Sequence, residues 1–114
     1  MCYREQMDTD RAAKCLSELG NPTRLSVFRL LVRAGDAGLT VGGIQKHLEI
    51  PASTLSHHLS HLVWAGLIVQ DRDGRTLHCR SQPGVMDELI GFLMDECCMG
   101  FEDETDNDTK ISTG

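Results

Sequence analysis

Long apolar runs are missing from this sequence of 114 residues. No stretch approaches the roughly 18 apolar residues that a membrane-spanning helix requires. The opening segment MCYREQMDTDR also lacks the apolar core of a secretion signal. These two absences predict a cytoplasmic protein that does not enter a membrane.

The even number of cysteines that is typical of a disulfide framework is missing as well. Five cysteines are an odd number, which in a reducing compartment argues against a disulfide framework and for free thiols or thiolate ligands. None of them shows the C-x2-C spacing that is usual for structural zinc. No histidine with an orienting group accompanies a thiol either, so a cysteine-dependent enzyme is not expected.

Basic residues are fewer than acidic ones, 11 against 17, which gives a formal net charge of −6. Most of this excess of acidic residues lies in one segment. Residues 101–114 contain five acidic side chains and one lysine, which leaves the rest of the chain close to neutral. The acidic total therefore does not exclude a surface that binds nucleic acid. We predict one domain over residues 1–100 and an acidic, disordered tail over residues 101–114.

Five segments carry apolar residues at helical spacing. The second opens with Asn21 and Pro22, which supply a cap and a first-turn proline. Thr40 can cap the third, the fourth is PASTLSHHLSHLVWAG, and the last ends near Gly100 with Cys97 on its apolar stripe. The second helix is apolar around most of its circumference and is expected to be central. Its stripe comprises Leu25, Phe28, Leu31 and Val32.

Two short extended runs follow the fourth helix, in LIVQDRDGRTLHCRS. Asp73-Gly74 between them is a two-residue turn signal of a β-hairpin. With the turn at these residues, three cross-strand pairs are expected: Arg72 with Arg75, Gln70 with Leu77, and Ile68 with Cys79. A short helix pair followed by a hairpin predicts a winged helix-turn-helix, in which the second helix of the pair enters the DNA major groove.

Two stretches in this order are similar to a known family. PTRL at residues 22–25 and SHHLSHLVWAGL at residues 56–67, with the wing behind them, resemble the ArsR/SmtB family of bacterial metalloregulatory repressors over residues 10–98. The resemblance implies a mainly α fold with a β-hairpin wing and a homodimer that pairs through its first and last helices. It also implies an operator near the protein's own promoter, released when an inducer binds.

Contacts to double-stranded operator DNA follow from the same resemblance. The reading helix would span residues 52–65, where no carboxylate repels phosphate. Its exposed contacts would be Ser53, Thr54, Ser56 and His57. His57 stands where many relatives carry arginine, which weakens the expectation of a bidentate guanine contact. Arg72 and Arg75 of the wing are assigned to phosphate or the minor groove, and His58 to packing.

Candidate inducer ligands are few. The third helix, VGGIQKHLEI, has no cysteine and the last has no histidine, so two metal sites known elsewhere in the family cannot form. The adjacent Cys97 and Cys98 remain, in the predicted final turn of the last helix, and they resemble the vicinal pair of arsenic and organoarsenic sensors. Neighbouring helical side chains diverge by about 100°, but the backbone beside Gly100 can adapt. Thiolates suit As(III), methyl-As(III) or Sb(III) as the inducer.

A third thiol ligand stays open, with Cys15, Cys79 and Cys2 as candidates. The pair alone favours methylarsenite or phenylarsenite, whose third position is carbon, whereas a third thiol would make arsenite or antimonite sufficient. One alternative function is a repressor of the same fold that senses oxidants or persulfides, with Cys15 or Cys79 as disulfide partner. Direct closure of the pair is disfavoured, because neighbouring Cα atoms lie about 3.8 Å apart and relaxed disulfides need about 4.4 Å or more. The other is a protein-interaction module without DNA binding.

Overall fold

Five α-helices and a three-stranded antiparallel sheet form a winged helix-turn-helix in the computed structural model, which describes residues 7–101. The elements are α1 (Thr9–Leu19), α2 (Pro22–Ala34), a 3-10 turn (Gly35–Ala37), β1 (Leu39–Thr40), α3 (Val41–Leu48), α4 (Ala52–Trp64), β2 (Ile68–Asp73), β3 (Thr76–Ser81) and α5 (Val85–Met94). The predicted fold class is confirmed. Cys2 and all of the predicted tail except Phe101 lie outside the described residues. No helix within residues 7–101 is long and apolar enough to cross a bilayer.

Short polar side chains begin the first three helices. Asp8 accepts a hydrogen bond from the backbone N–H of Arg11 at 2.9 Å, and Asn21 accepts one from Arg24 at 3.0 Å. The Thr40 hydroxyl accepts from the N–H of Gly43 at 3.0 Å, which begins α3. Each cap satisfies a backbone donor that the first helical turn leaves without a partner. The predicted caps Asn21 and Thr40 are therefore confirmed.

Helix α2 is central, as its composition predicts, and it contacts α1, α3, α4 and β3. Val27, Phe28 and Leu31 are buried in the core. Leu25 and Val32, however, lie about 40% exposed on the outer side of the helix, so the predicted apolar stripe was too broad. Neighbouring elements cover only one face of the helix. When apolar residues occupy most of the circumference, their periodicity alone does not tell which of them are covered.

The wing departs from the predicted register. The Cα partners are Ile68 with Ser81, Gln70 with Cys79, and Arg72 with Leu77. The pair Arg72 and Arg75 is therefore wrong, and the two central turn residues are Gly74 and Arg75. Gly74 takes φ +66°, and a hairpin turn of the II′ kind has its glycine first. The shift is two residues, so every side chain keeps its face and Cys79 stays buried.

A third strand that the sequence patterns did not indicate completes the sheet. In β1, Leu39 pairs with Cys79 and Thr40 with His78, which places β3 in the middle. Gly38, just before β1, has φ +64°, and a Cβ there would lie 2.3 Å from the carbonyl oxygen of Cys79. Glycine is required because both the backbone conformation and this close approach exclude a side chain.

Replacing Gly38 by alanine is expected to destabilise the protein by more than the same change at Gly35. Gly35 has φ 69° and ψ −151°, and Gly38 has φ 64° and ψ −164°, a region that costs alanine about 1–3 kcal/mol. Only Gly38 also meets a backbone atom, because nothing lies within 4 Å of a Cβ at Gly35. Urea denaturation of both variants measures the difference. Equal losses would show that β1 moves away from β3 without cost.

Candidate nucleic-acid interface and thiol site

A buried polar network holds α4 against α1 and α2. Arg24, in the first turn of α2, donates from Nη1 to Glu18 Oε1 at 2.6 Å and to the Glu18 carbonyl at 3.3 Å. Its Nε donates to His58 Nδ1 at 3.3 Å. Glu18 Oε1 also accepts from His61 Nδ1 at 3.0 Å. The carboxylate of α1 thus sets the position of two histidine side chains on α4.

His58 faces inward, which confirms its predicted packing role. It is buried, and its Nδ1 must carry a lone pair to accept from Arg24. Burial lowers the pKa of His58, and the charges of Arg24, His57 and His61 lower it further. The ring therefore stays neutral at physiological pH.

The outer face of α4 carries all four predicted DNA contacts. Ser53, Thr54, Ser56 and His57 are exposed. The hydroxyl of Ser60 on the same helix donates to the backbone carbonyl of Ser56 at 3.1 Å. Since α4 contains no carboxylate, this face presents hydroxyls and imidazoles without repelling phosphate.

The wing places both predicted arginines at the surface, although not side by side. Arg72 lies in β2 and Arg75 in the turn, and both are exposed. A third wing arginine, Arg80, pairs with Asp71 at 3.2 Å across the two strands. That carboxylate offsets the charge of Arg80, while Arg72 and Arg75 lie at the tip end of the wing.

The adjacent thiols lie beyond α5, and their prediction in its final turn was wrong. The helix ends at Met94, and Asp95 turns the chain away with ψ 131°. Glu96 and Cys98 then take φ +64° and +63°. In this succession of tight turns the Cys97 and Cys98 Sγ atoms are 3.5 Å apart, and both residues are exposed. A regular helix would have separated them.

Cys15 and Cys79, two candidates for a third ligand, are fully buried. The Cys15 thiol faces the Ala65 carbonyl at 3.7 Å, and Cys79 Sγ accepts from Gln70 Nε2 at 3.5 Å. Burial raises the pKa of both thiols, which keeps them protonated. Within residues 7–101 no cluster of three or more histidine, cysteine or acidic side chains is placed to hold a metal. Cys2 lies outside the described residues.

Sequence comparisons find relatives that include two repressors. A helix-turn-helix domain family matches residues 19–71. The nodulation protein NolR of Rhizobium meliloti is 32% identical, over 77% of this chain and 70% of its own. The transcriptional repressor SdpR of Bacillus subtilis is 30% identical, over 79% and 91%. The putative arsenical resistance operon repressor ArsR of Halobacterium salinarum is 40% identical, over 53% of this chain and 46% of its own.

Solved structures of similar proteins superpose on this chain. Reduced HlyU of Vibrio cholerae superposes with a TM-score of 0.62 at 27% identity, over 79% of this chain and 92% of that one. A possible transcriptional regulator for arsenical resistance superposes with a TM-score of 0.60 at 30% identity, over 70% and 80%.

Replacing Arg24 by leucine is expected to cost about 3 to 5 kcal/mol, because it leaves the Glu18 carboxylate buried without its cation. The exposed Arg29 on the same helix is the matched control, and its replacement by leucine should change stability by no more than about 0.5 kcal/mol. Denaturant unfolding measures both. A loss at Arg24 as small as that at Arg29 would mean that the network does not hold α4.

Stability is expected to fall in weak acid because of His58. Its folded pKa lies below the ordinary value, so its contribution is present above about pH 6.5 and is lost as the pH falls below that value. Replacing His58 by glutamine keeps an acceptor for Arg24 but removes the titration. The unfolding free energy of this variant should depend less on pH between about 7.5 and 5.5. Identical pH profiles for variant and parent would contradict the assignment.

Proposed function

Because this chain belongs to the ArsR/SmtB family of winged helix-turn-helix transcriptional repressors, we propose that it is a homodimer that binds operator DNA and releases it when a trivalent arsenical or antimonite binds Cys97 and Cys98. The observation that carries the proposal is the 3.5 Å separation of two exposed thiols.

The separation suits one shared ion. With sulfur–ion bonds near the 2.3 Å found for zinc, sulfurs 3.5 Å apart subtend about 100° at the ion. A pyramidal centre with three bonds, as in As(III), has angles of this size, whereas zinc prefers four ligands in a tetrahedron. The exposure of both side chains lets the ion bind without opening the core.

An organic arsenical fits the pair better than arsenite does. Methylarsenite already carries carbon in its third position, so two thiolates complete its coordination. Cys15 and Cys79 are buried and protonated, which disfavours either of them as a third ligand. Oxidation of Cys97 and Cys98 to a disulfide is less favourable than ion binding, because adjacent cysteines place their Cα atoms too close for a relaxed disulfide.

The operator contacts belong to α4 and the wing. Ser53, Thr54, Ser56 and His57 would enter the major groove, while Arg72 and Arg75 would reach phosphate or the minor groove. All six residues are exposed.

A second copy would cover the apolar surface that α1 and α5 leave exposed. Leu16 of α1 is 43% exposed, and Ile90, Leu93 and Met94 of α5 are each more than half exposed. Arg11 pairs with Glu88 at 3.3 Å and joins the two helices. Because the thiols follow α5 directly, an ion bound there would change the geometry of this interface and the spacing of the two reading helices.

A release assay on the chain's own upstream promoter tests the proposal. Fluorescence anisotropy would measure operator affinity with methylarsenite, arsenite, antimonite, zinc or polysulfide. We expect methylarsenite to weaken binding by roughly 5- to 150-fold, the usual range of allosteric coupling. Replacing Cys97 or Cys98 by serine should abolish release and leave operator affinity intact. Cys2→Ser tests whether that thiol is a third ligand, and it should leave release by methylarsenite unchanged if the pair alone binds. Sedimentation should show a dimer throughout.

Three outcomes of the release assay would contradict the proposed function. Release by polysulfide but by no arsenical would establish a redox sensor. Release by methylarsenite in both serine variants would place the inducer at another site. Absence of salt-sensitive promoter binding would contradict a DNA-binding role altogether, since phosphate contacts impose a steep salt dependence.

A further inference from the structure

Two histidines lie together on the polar face of α4, and one of them, His61, also hydrogen-bonds Glu18 of the buried network. His57 and His61 are four residues apart, and their ring centroids are 4.6 Å apart with an interplanar angle of 70°. His57 is exposed, and the His61 side chain is 37% exposed. The i, i+4 spacing places both imidazoles over the same stretch of helix surface, an arrangement that supplies two ligands to one ion.

The separation of the rings matches shared coordination. A metal–nitrogen bond of about 2.0–2.1 Å places the ion about 3.2 Å from each ring centroid. If the two nitrogens subtend 90° at the ion, the ring centroids are about 4.5 Å apart. A tetrahedral angle gives about 5.2 Å by the same geometry. The observed 4.6 Å lies between these values. Rotation about χ2, which is broad for histidine, is the adjustment that points the nitrogens at one ion.

Glu18 orients His61 for this role. A carboxylate only accepts hydrogen bonds, so His61 Nδ1, 3.0 Å from Glu18 Oε1, must carry the proton. The neutral ring then has its lone pair on Nε2, the nitrogen that does not contact Glu18. Histidine ligands of metals have this arrangement, with a carboxylate holding the second nitrogen. Arg24 in turn donates to Glu18 at 2.6 Å, so the carboxylate that orients His61 is itself held in place.

Open space lies beside His61. Glu18, Ser60, His61 and Trp64 line a cleft of about 510 Å³ between α1 and α4. This leaves room for the water ligands that complete the coordination of an ion held by two side chains.

From this geometry we infer that His57 and His61 form a second metal site, for a divalent ion that prefers nitrogen ligands, such as nickel, copper or zinc. Imidazole suits these ions, whereas magnesium and calcium prefer oxygen. The site uses no sulfur and is separate from the thiol pair. It lies on the reading helix itself, and His57 is also one of the operator contacts in the proposed function.

Calorimetric titration with nickel chloride tests the site in the full-length protein without an affinity tag. Cys2, Cys97 and Cys98 are replaced by serine, so the result does not depend on the thiol site. One nickel per chain is expected to bind, and magnesium should not. His57→Asn should weaken nickel binding at least about tenfold. Losing a residue that only hydrogen-bonds a metal ligand costs about 10–100-fold in affinity, and losing the ligand itself should cost at least as much. His47→Asn is the matched control, because His47 is exposed on α3 and its Nδ1 contacts the Gly43 carbonyl.

Nuclear magnetic resonance supplies a second readout that does not depend on a variant. Paramagnetic nickel should broaden the ring signals of His57 and His61 at lower concentration than those of His47 and His78. The site is refuted if nickel does not bind, if His57→Asn binds it as tightly as the parent, or if all exposed histidines broaden together. Circular dichroism melting of His57→Asn excludes unfolding as the cause of a loss.

Discussion

The position of the reading helix depends on one buried ion pair, between Glu18 and Arg24. Burying two charges costs several kcal/mol for each ion, and their attraction offsets this only when further hydrogen bonds satisfy the remaining donors and acceptors. Here His58, His61 and a backbone carbonyl complete the set. Within residues 7–101 no buried side-chain nitrogen or oxygen lacks a partner. The pair spans α1 and α2 and reaches α4 through two histidines, so it holds α4 in place while Leu55, Leu59 and Leu62 on its other side are buried in the core.

The thiol pair depends on a different constraint, which is local backbone conformation. Glu96 and Cys98 both adopt positive φ, although neither is glycine. That conformation costs an ordinary residue about 1–2 kcal/mol, and such residues cluster at functional sites. The result is a pair of exposed sulfurs at a distance that one ion can bridge. The segment continues into exposed Met99 and Phe101, so an ion bound here would sit beside the apolar surface that a second copy would cover.

Much of the fold could be predicted from the sequence because its signals are local. Asn21 and Thr40 cap helices through bonds to residues three positions away. The hairpin was predictable for the same reason, but its register was not. The turn moved by one position at each end because Gly74 takes the first central place, and β3 also pairs with β1 on its other edge. A turn dipeptide carries no information about that second pairing.

By itself, the sequence determined the fold class, the caps, the polar face of α4 and the presence of two adjacent thiols. Each depends on residue type and on spacing within a few positions. The tertiary structure alone decided which atoms meet. It joined Glu18 to His61 across 43 residues, buried Cys15 and Cys79 away from the surface, and ended α5 before Cys97. These outcomes depend on packing between elements far apart in the chain, which no local periodicity records.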